Sequence, residues 1–129
     1  MDSKELARLA SEQKSNAYAP YSGFRVGAVV LMENGHIHTG VNIENASYGA
    51  TCCAERTAVF KAVSEGERKI KAVAIASDSD DLIFPCGICR QVLAEFGDDE
   101  LQVICSRKNG EYKVYRLGDL LPEAFRSVK

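Results

Sequence analysis

The sequence predicts an α/β protein in which a five-stranded sheet carries helices on its faces. Segments with helical periodicity alternate with β-rich segments in the order α-β-β-α-β-α-β-β. Asn34-Gly35 lies between two β-rich segments, and this pair is the strongest short signal for a hairpin turn. Residues 70–76 form a nearly continuous apolar run, as expected for a strand that is covered on both faces.

Turn and helix-end signals separate the predicted elements. Pro20 ends the first helix, because proline cannot continue an α-helix, and Gly66 and Gly97 are suitable helix ends. The residues 108–110 turn the chain between the last two strands. The predicted elements are a helix over 3–18, strands over 24–31 and 36–42, a helix from 53 to about 66, a strand over 70–76, a helix over 88–96, strands over 101–105 and 111–115, and a helical turn over 117–121.

The composition is that of one ordinary globular domain over residues 1–129, with 46% hydrophobic and 26% charged residues. The net charge of −2 and the scattered Lys and Arg residues disfavour a polynucleotide partner, which normally requires a basic face. No apolar run approaches the roughly 20 residues of a membrane span, and the N-terminus lacks a signal-peptide core. We therefore expect a cytoplasmic protein whose five cysteines are reduced.

Two short motifs carry the chemistry of the sequence. Cys53 is followed two residues later by Glu55, and Cys86 and Cys89 form a CxxC pair directly after Pro85. Both motifs begin predicted helices, whose N-terminal N–H groups and dipole favour thiolates. Three thiolates leave the fourth position of a tetrahedral zinc ion open for water, which is typical of a catalytic site. A nearby carboxylate that is not a ligand would then move protons.

Other interpretations of these cysteines remain open at this point. A CxxC pair is also typical of redox motifs and of structural zinc sites, although no fourth ligand lies at a comparable spacing. Cys52 competes with Cys53 as a ligand, but only Cys53 has the Cys-x-Glu spacing. Cys105 lies within a predicted strand and is interpreted as a core residue. His36 and His38 alternate beside the hairpin turn, and we interpret them as exposed strand residues rather than metal ligands.

The full pattern matches the zinc-deaminase signature with cysteine in place of histidine. Further motifs extend the match along nearly the whole chain: 18–22, 24–28, 42–49, 53–56, 85–91 and 120–125. With these motifs the chain resembles the cytidine deaminases of the small, homotetrameric type. The resemblance implies a three-layer α/β/α sandwich with a five-stranded mixed sheet. It also implies hydrolytic deamination of cytidine and 2′-deoxycytidine to the uridines, with release of ammonia, in pyrimidine salvage.

The resemblance assigns roles to the residues of both cysteine motifs. Cys53, Cys86 and Cys89 would bind one zinc ion per chain, with water in the fourth position. Glu55 would take up the proton of that water and return it to the pyrimidine. Arg56 would hydrogen-bond the thiolates and so withdraw negative charge from the metal.

The resemblance also implies a substrate site that is shared between subunits of a homotetramer. The alternative interpretation is that Asn42 and Glu44 only form a turn and that Phe24 is an ordinary core residue. The implied contacts are Phe24 on the pyrimidine ring, Asn42 and Glu44 on the ribose 3′-hydroxyl, the backbone of Ala54 on the base, and Tyr48 and Phe125 in a neighbouring subunit's site.

Three rival functions accompany this interpretation. A deaminase of the same fold would act on a related aminopyrimidine nucleoside such as the antibiotic blasticidin S, but the motif over 42–45 and Phe24 favour an ordinary nucleoside. An editing deaminase would show a basic surface that follows a polynucleotide strand. A structural-zinc module without activity would give Glu55 no purpose. Phe84 and Ile88 stand where the family frequently has Ser and Ala, which affects the contacts to the edge of the base.

Overall fold

The structure is a computed structural model that describes residues 1–126, and its elements follow the predicted order. The first helix ends at Gln13, earlier than predicted, and a short 3-10 turn continues to Asn16. The elements are α1 (Ser3–Gln13), β1 (Val26–Met32), β2 (Ile37–Val41), α2 (Ala54–Ser64), β3 (Ile70–Ser77), α3 (Gly87–Phe96), β4 (Gln102–Ser106), β5 (Tyr112–Arg116) and α4 (Leu117–Leu120).

The five strands form one mixed sheet in the order β2-β1-β3-β4-β5. β1 pairs antiparallel with both β2 and β3, and β4 pairs antiparallel with β5. β3 and β4 are parallel, so the chain must cross over between them, and α3 makes that crossover. The prediction of a five-stranded mixed sheet is confirmed.

Two apolar cores lie on opposite faces of the sheet, because successive side chains of a strand point to opposite sides. Val29 of β1 packs with Leu6 and Ala10 of α1 on one face. Val30 of β1 packs with Ala58 of α2 on the other face, in the core to which α3 also contributes. The result is the predicted three-layer α/β/α sandwich. Among residues 1–126, no helix combines the length and the apolar character that crossing a membrane requires.

Gly40 of β2 allows α2 to lie directly against the sheet. A Cβ atom at this position would be 2.5 Å from the carbonyl oxygen of Ala54 and 2.5 Å from the backbone nitrogen of Ala58. Both are backbone atoms of α2, so only a movement of the helix could relieve the clash. The N-terminal end of this helix carries the Cys53 motif, and Gly40 therefore helps to set its position.

We expect Gly40→Ala to lower the free energy of unfolding by about 3 kcal/mol, the upper part of the range for overpacked cores. Urea unfolding followed by circular dichroism measures this change. Gly49→Ala is the matched control, because a Cβ at Gly49 has no heavy atom within 4 Å and its φ is not positive. Equal unfolding midpoints for Gly40→Ala and Gly49→Ala would contradict the close approach.

Candidate active site

The two cysteine motifs meet where α2 and α3 begin. Cys53 directly precedes α2 and Cys86 directly precedes α3, both with extended backbone, while Cys89 lies in the first turn of α3. The Sγ atoms of these three residues all lie within 4.8 Å of one another. The fold thus brings the Cys53 thiol to the CxxC pair that begins 33 residues later in the sequence.

The spacing of the thiols fits a tetrahedral zinc ion. The Cys53 and Cys86 sulfurs are 3.8 Å apart. Two thiolates at about 2.3 Å from a tetrahedral metal are separated by about 3.8 Å. Within residues 1–126, no other group of three or more His, Cys, Asp or Glu side chains brings its ligand atoms this close together. Cys52 and Cys105 lie outside the cluster, the former beside the hydroxyl of Thr57 and the latter buried in β4.

The ionisation of the thiols also favours a cation. The pKa of Cys53 is lowered to about 5, first because Cys89 donates a hydrogen bond to its sulfur and also because Arg56 lies nearby. The pKa of Cys89 is raised above its usual range by the same hydrogen bond and by burial. Without a metal this hydrogen bond therefore favours thiolate at Cys53 and thiol at Cys89. A divalent metal reverses this preference, since cysteine binds metals as thiolate.

Arg56 supplies positive charge beside the cluster. Its Nη2 lies 3.3 Å from the Cys53 sulfur and 3.5 Å from the carbonyl oxygen of Thr51. The hydrogen bond to Cys53 raises the pKa of Arg56 above its already high value, so the side chain stays charged. Its Nε is buried and has no hydrogen-bond partner within residues 1–126. The guanidinium group is therefore held at the site mainly by the thiols.

Glu55 lies in the first turn of α2 and is only 4% exposed. Burial is the main reason that its pKa is raised to about 7, and the nearby Cys53 thiolate raises the pKa further. A buried carboxyl group that is not part of the thiol cluster, with a pKa near neutrality, is suited to accept and donate protons.

Asn42 and Glu44 join two loop segments to each other. The Asn42 side chain accepts a hydrogen bond from the Val26 nitrogen at 2.9 Å and donates one to the Phe24 carbonyl oxygen at 2.8 Å. Glu44 accepts hydrogen bonds from the backbone nitrogens of Tyr21 and Ser22, at 3.0 and 3.1 Å, and from the Ser22 hydroxyl, which lowers the pKa of Glu44. These hydrogen bonds show that both side chains stabilise the surrounding loops. The contact of Asn42 and Glu44 with the ribose stays a prediction.

Tyr48 and Phe125 are strongly exposed for aromatic residues, at 77% and 65%. The Phe125 carbonyl oxygen accepts a hydrogen bond from Gln91 Nε2 at 2.6 Å, which ties the C-terminal segment to α3. Arg90 bonds the carbonyl oxygens of Pro85 and Leu120, each at 2.8 Å. The sequence reasoning gave Arg90 and Gln91 no role, because their partners are backbone carbonyls that no side-chain pattern reveals.

This site and fold place the protein among enzymes that use zinc with an open coordination position. The family model for the cytidine and deoxycytidylate deaminase zinc-binding region matches residues 1–105. A cytidine deaminase of Halalkalibacterium halodurans is 46% identical over 125 residues, which cover 97% of this chain and 95% of that protein. A probable cytidine deaminase of Dictyostelium discoideum is 48% identical over 129 residues, covering 97% and 86%.

Crystal structures of cytidine deaminases are also similar to this chain. A crystal structure of cytidine deaminase from Burkholderia pseudomallei has a TM-score of 0.92 at 43% identity and covers 97% of this chain and 100% of that chain. A crystal structure of cytidine deaminase from Mycobacterium tuberculosis has a TM-score of 0.85 at 42% identity, with coverage of 97% and 98%. The chain belongs to the cytidine and deoxycytidylate deaminase family and is an enzyme with one zinc ion.

Proposed function

We propose that the protein catalyses the hydrolytic deamination of cytidine and 2′-deoxycytidine to uridine and 2′-deoxyuridine, with release of ammonia, in pyrimidine salvage. The observation that carries this proposal is a buried carboxyl group, Glu55, beside a three-thiol cluster that fits zinc. Relatives named cytidine deaminases support the choice of substrate. We further propose that residues 1–129 act as one domain in the cytoplasm, where thiols stay reduced.

Cys53, Cys86 and Cys89 would hold the zinc ion, which supplies a Lewis acid that makes water nucleophilic at neutral pH. Glu55 takes one proton from the attacking water and gives it to ring N3. The same carboxyl group then passes the second proton to the leaving amino group, so that water and cytidine become uridine and ammonia. A pKa near 7 lets Glu55 act in both directions.

The proposed substrate contacts come from loop segments that are hydrogen-bonded to each other. Phe24, 39% exposed, would pack on the pyrimidine, and the backbone of Ala54, next to Cys53, would contact the base. Asn42 and Glu44 would bind the ribose 3′-hydroxyl. Both are already hydrogen-bonded to the segment that holds Phe24, so a substrate that engages them meets a pre-ordered pocket.

A substrate panel tests the proposed function. Purified protein is mixed with cytidine, 2′-deoxycytidine, cytosine and blasticidin S, and the loss of ultraviolet absorbance of the aminopyrimidine is followed. We expect conversion of the two cytosine nucleosides at rates well above those of cytosine and blasticidin S. Exclusive turnover of blasticidin S would move the proposal to the antibiotic substrate, and zinc-loaded protein inert on all four would contradict it.

We propose that four chains assemble and that Tyr48 and Phe125 enter neighbouring sites. Their exposure supports this, because exposed aromatic residues are enriched at interfaces. Light scattering on eluted protein should give about four times the chain mass of 14.1 kDa. A protein that is monomeric at assay concentration and fully active would contradict the shared site.

Arg56→Ala should keep the fold and the zinc but lower turnover by about 10–100-fold, the range typical for loss of an outer-shell partner of a metal site. The expected cause is loss of the hydrogen bond to the Cys53 sulfur. Cytidine turnover and zinc content are measured on the same samples. Arg8→Ala is the control, because Arg8 is exposed and, within residues 1–126, pairs only with Glu12. Equal turnover for Arg56→Ala and Arg8→Ala would contradict the role of Arg56.

A further inference from the structure

Ser22 connects two of the residues for which a substrate contact is proposed, Phe24 and Glu44. Its hydroxyl donates a hydrogen bond to Glu44 Oε2, and its Oγ accepts one from the Phe24 backbone nitrogen at 3.0 Å. Glu44 lies 22 residues further along the chain, so the fold and not the local sequence brings it to Ser22. One hydroxyl group therefore links the residue proposed to bind the ribose to the residue proposed to pack on the pyrimidine.

The turn at Gly23 places the Ser22 hydroxyl. Gly23 has a φ of 69°, in the left-handed region that glycine adopts without strain. The turn brings the Phe24 nitrogen to within 3.0 Å of Ser22 Oγ. On the other side, the Glu44 nitrogen donates to the Tyr18 carbonyl oxygen at 2.9 Å, which fixes the backbone from which the carboxylate reaches the turn.

The Ser22 hydroxyl can donate its proton in one direction only. The Phe24 N–H group already donates to Ser22 Oγ, and a carboxylate has no proton to give, so the hydroxyl proton must point at Glu44. This hydrogen bond is also the main reason that the pKa of Glu44 is lowered, which keeps the group ionised at neutral pH. Glu44 is therefore held as an acceptor of hydrogen bonds.

The loop leaves the Glu44 carboxylate little capacity for further hydrogen bonds. Within residues 1–126, Oε1 accepts from the Tyr21 nitrogen at 3.0 Å and from the Ser22 nitrogen at 3.1 Å, and Oε2 accepts from the Ser22 hydroxyl. A carboxylate has about four lone-pair positions, so roughly one remains, on Oε2. A single hydroxyl donor, such as a ribose 3′-hydroxyl, fits this remaining position.

We propose that Ser22 is a positioning residue that orients the Glu44 carboxylate and so sets the preference for substrates with a 3′-hydroxyl. This inference rests on the proposed function, because it concerns the ribose contact of the same site. Without the hydroxyl, Oε2 has no partner among the described residues, and a substrate hydroxyl must first order the carboxylate, which weakens binding. Ser22 lies outside the thiol cluster, so a substrate without a 3′-hydroxyl should react as in wild type.

Steady-state kinetics of zinc-loaded protein with two substrates test this proposal. The measured quantity is kcat/KM for 2′-deoxycytidine and for 2′,3′-dideoxycytidine, which lacks only the 3′-hydroxyl. Ser22→Ala should lower kcat/KM about tenfold for 2′-deoxycytidine, as expected for the loss of one hydrogen bond to a charged group, and less than about twofold for 2′,3′-dideoxycytidine. Ser22→Thr keeps the hydroxyl and should retain the wild-type preference. Ser15→Ala is the matched control, because it removes an exposed hydroxyl that bonds only the nearby Glu12 carbonyl oxygen among the described residues.

The pair of substrates separates the possible outcomes. An equal loss of kcat/KM for both substrates in Ser22→Ala would mean that Ser22 only stabilises the loop, and it would overturn the proposal. Unchanged values for both substrates would overturn it as well. Wild-type protein that is inert on both substrates would contradict the proposed function, and this inference with it.

The pKa of Glu44 provides a second readout that does not depend on catalysis. Carbon NMR of glutamate-labelled protein without substrate measures it, with Glu44→Gln to assign the signal. The pKa of Glu44 should be higher in Ser22→Ala than in wild type and Ser15→Ala, because the hydroxyl stabilises the charged form of the carboxyl group. Equal pKa values in wild type and Ser22→Ala would overturn the proposal, whatever the substrate.

Discussion

Glu55→Gln should reduce cytidine turnover by at least about 10³-fold while the protein keeps its zinc. Proton transfer by a positioned side chain contributes about 10²–10⁴-fold, and this site uses the same group for more than one transfer. An amide has nearly the same shape as the carboxyl group but can neither take nor return a proton at neutral pH. The thiol cluster does not include Glu55, so the metal should stay bound.

The control for Glu55→Gln is Glu95→Gln, the same chemical change at an exposed position of α3. Single-turnover rates with cytidine and zinc content by mass spectrometry are measured for both variants and wild type. Glu95→Gln should match wild type in both respects. Zinc-loaded Glu55→Gln with wild-type turnover would contradict the proton-transfer role, whatever the identity of the substrate.

Cys89→Ala should abolish both zinc binding and turnover. Cys89 is fully buried, and its sulfur lies with those of Cys53 and Cys86. Removing one of three thiolates leaves two protein ligands, which is fewer than catalytic zinc sites have. Because binding of the metal to the folded state stabilises that state, the variant should also unfold at a lower temperature than wild-type holoprotein.

Cys52→Ala is the matched control for the loss of Cys89. Cys52 precedes a proposed ligand in the sequence, but its sulfur accepts a hydrogen bond from the Thr57 hydroxyl at 3.6 Å and lies outside the cluster. We expect Cys52→Ala to retain about one zinc per chain and most of its activity. If Cys52→Ala lost zinc while Cys89→Ala retained it, the assignment of the ligands would be wrong.

The order of the elements could be predicted because the signals are local. Periodicity, the Asn34-Gly35 turn and the helix-ending glycines all act within a few residues, and the structure follows them. The observed boundaries of the elements differ from the predicted ones where residues distant in the sequence form hydrogen bonds. The first helix was predicted to reach residue 18, but the Tyr18 nitrogen donates to the Asn42 carbonyl oxygen at 3.0 Å, which holds that residue outside the helix. The first strand begins at Val26 and not at Phe24, whose carbonyl oxygen is taken by the Asn42 side chain.

The candidate site, too, could be predicted only in part from the sequence. The three thiols and Glu55 could be selected from the sequence because their spacing is tied to the start of two helices. The partners of Asn42, Gln91 and His38 could not be predicted from the sequence. These partners are backbone groups or carboxylates that lie 16 to 34 residues away in the chain. Periodicity records only which side of a strand a residue occupies, so it could not show that Glu67 covers His38. The prediction of an exposed His38 is wrong, since its side chain is only 11% exposed.

Reconstitution of metal-free protein with zinc tests the central claim most directly. Zinc is added in steps from zero to two equivalents per chain, and uridine and ammonia are measured from cytidine at each step. The account predicts that both products rise together in equal amounts and that the rate reaches its plateau at one equivalent of zinc per chain. Turnover that is already maximal without zinc, or uridine formed without an equal amount of ammonia, would contradict zinc-dependent hydrolytic deamination.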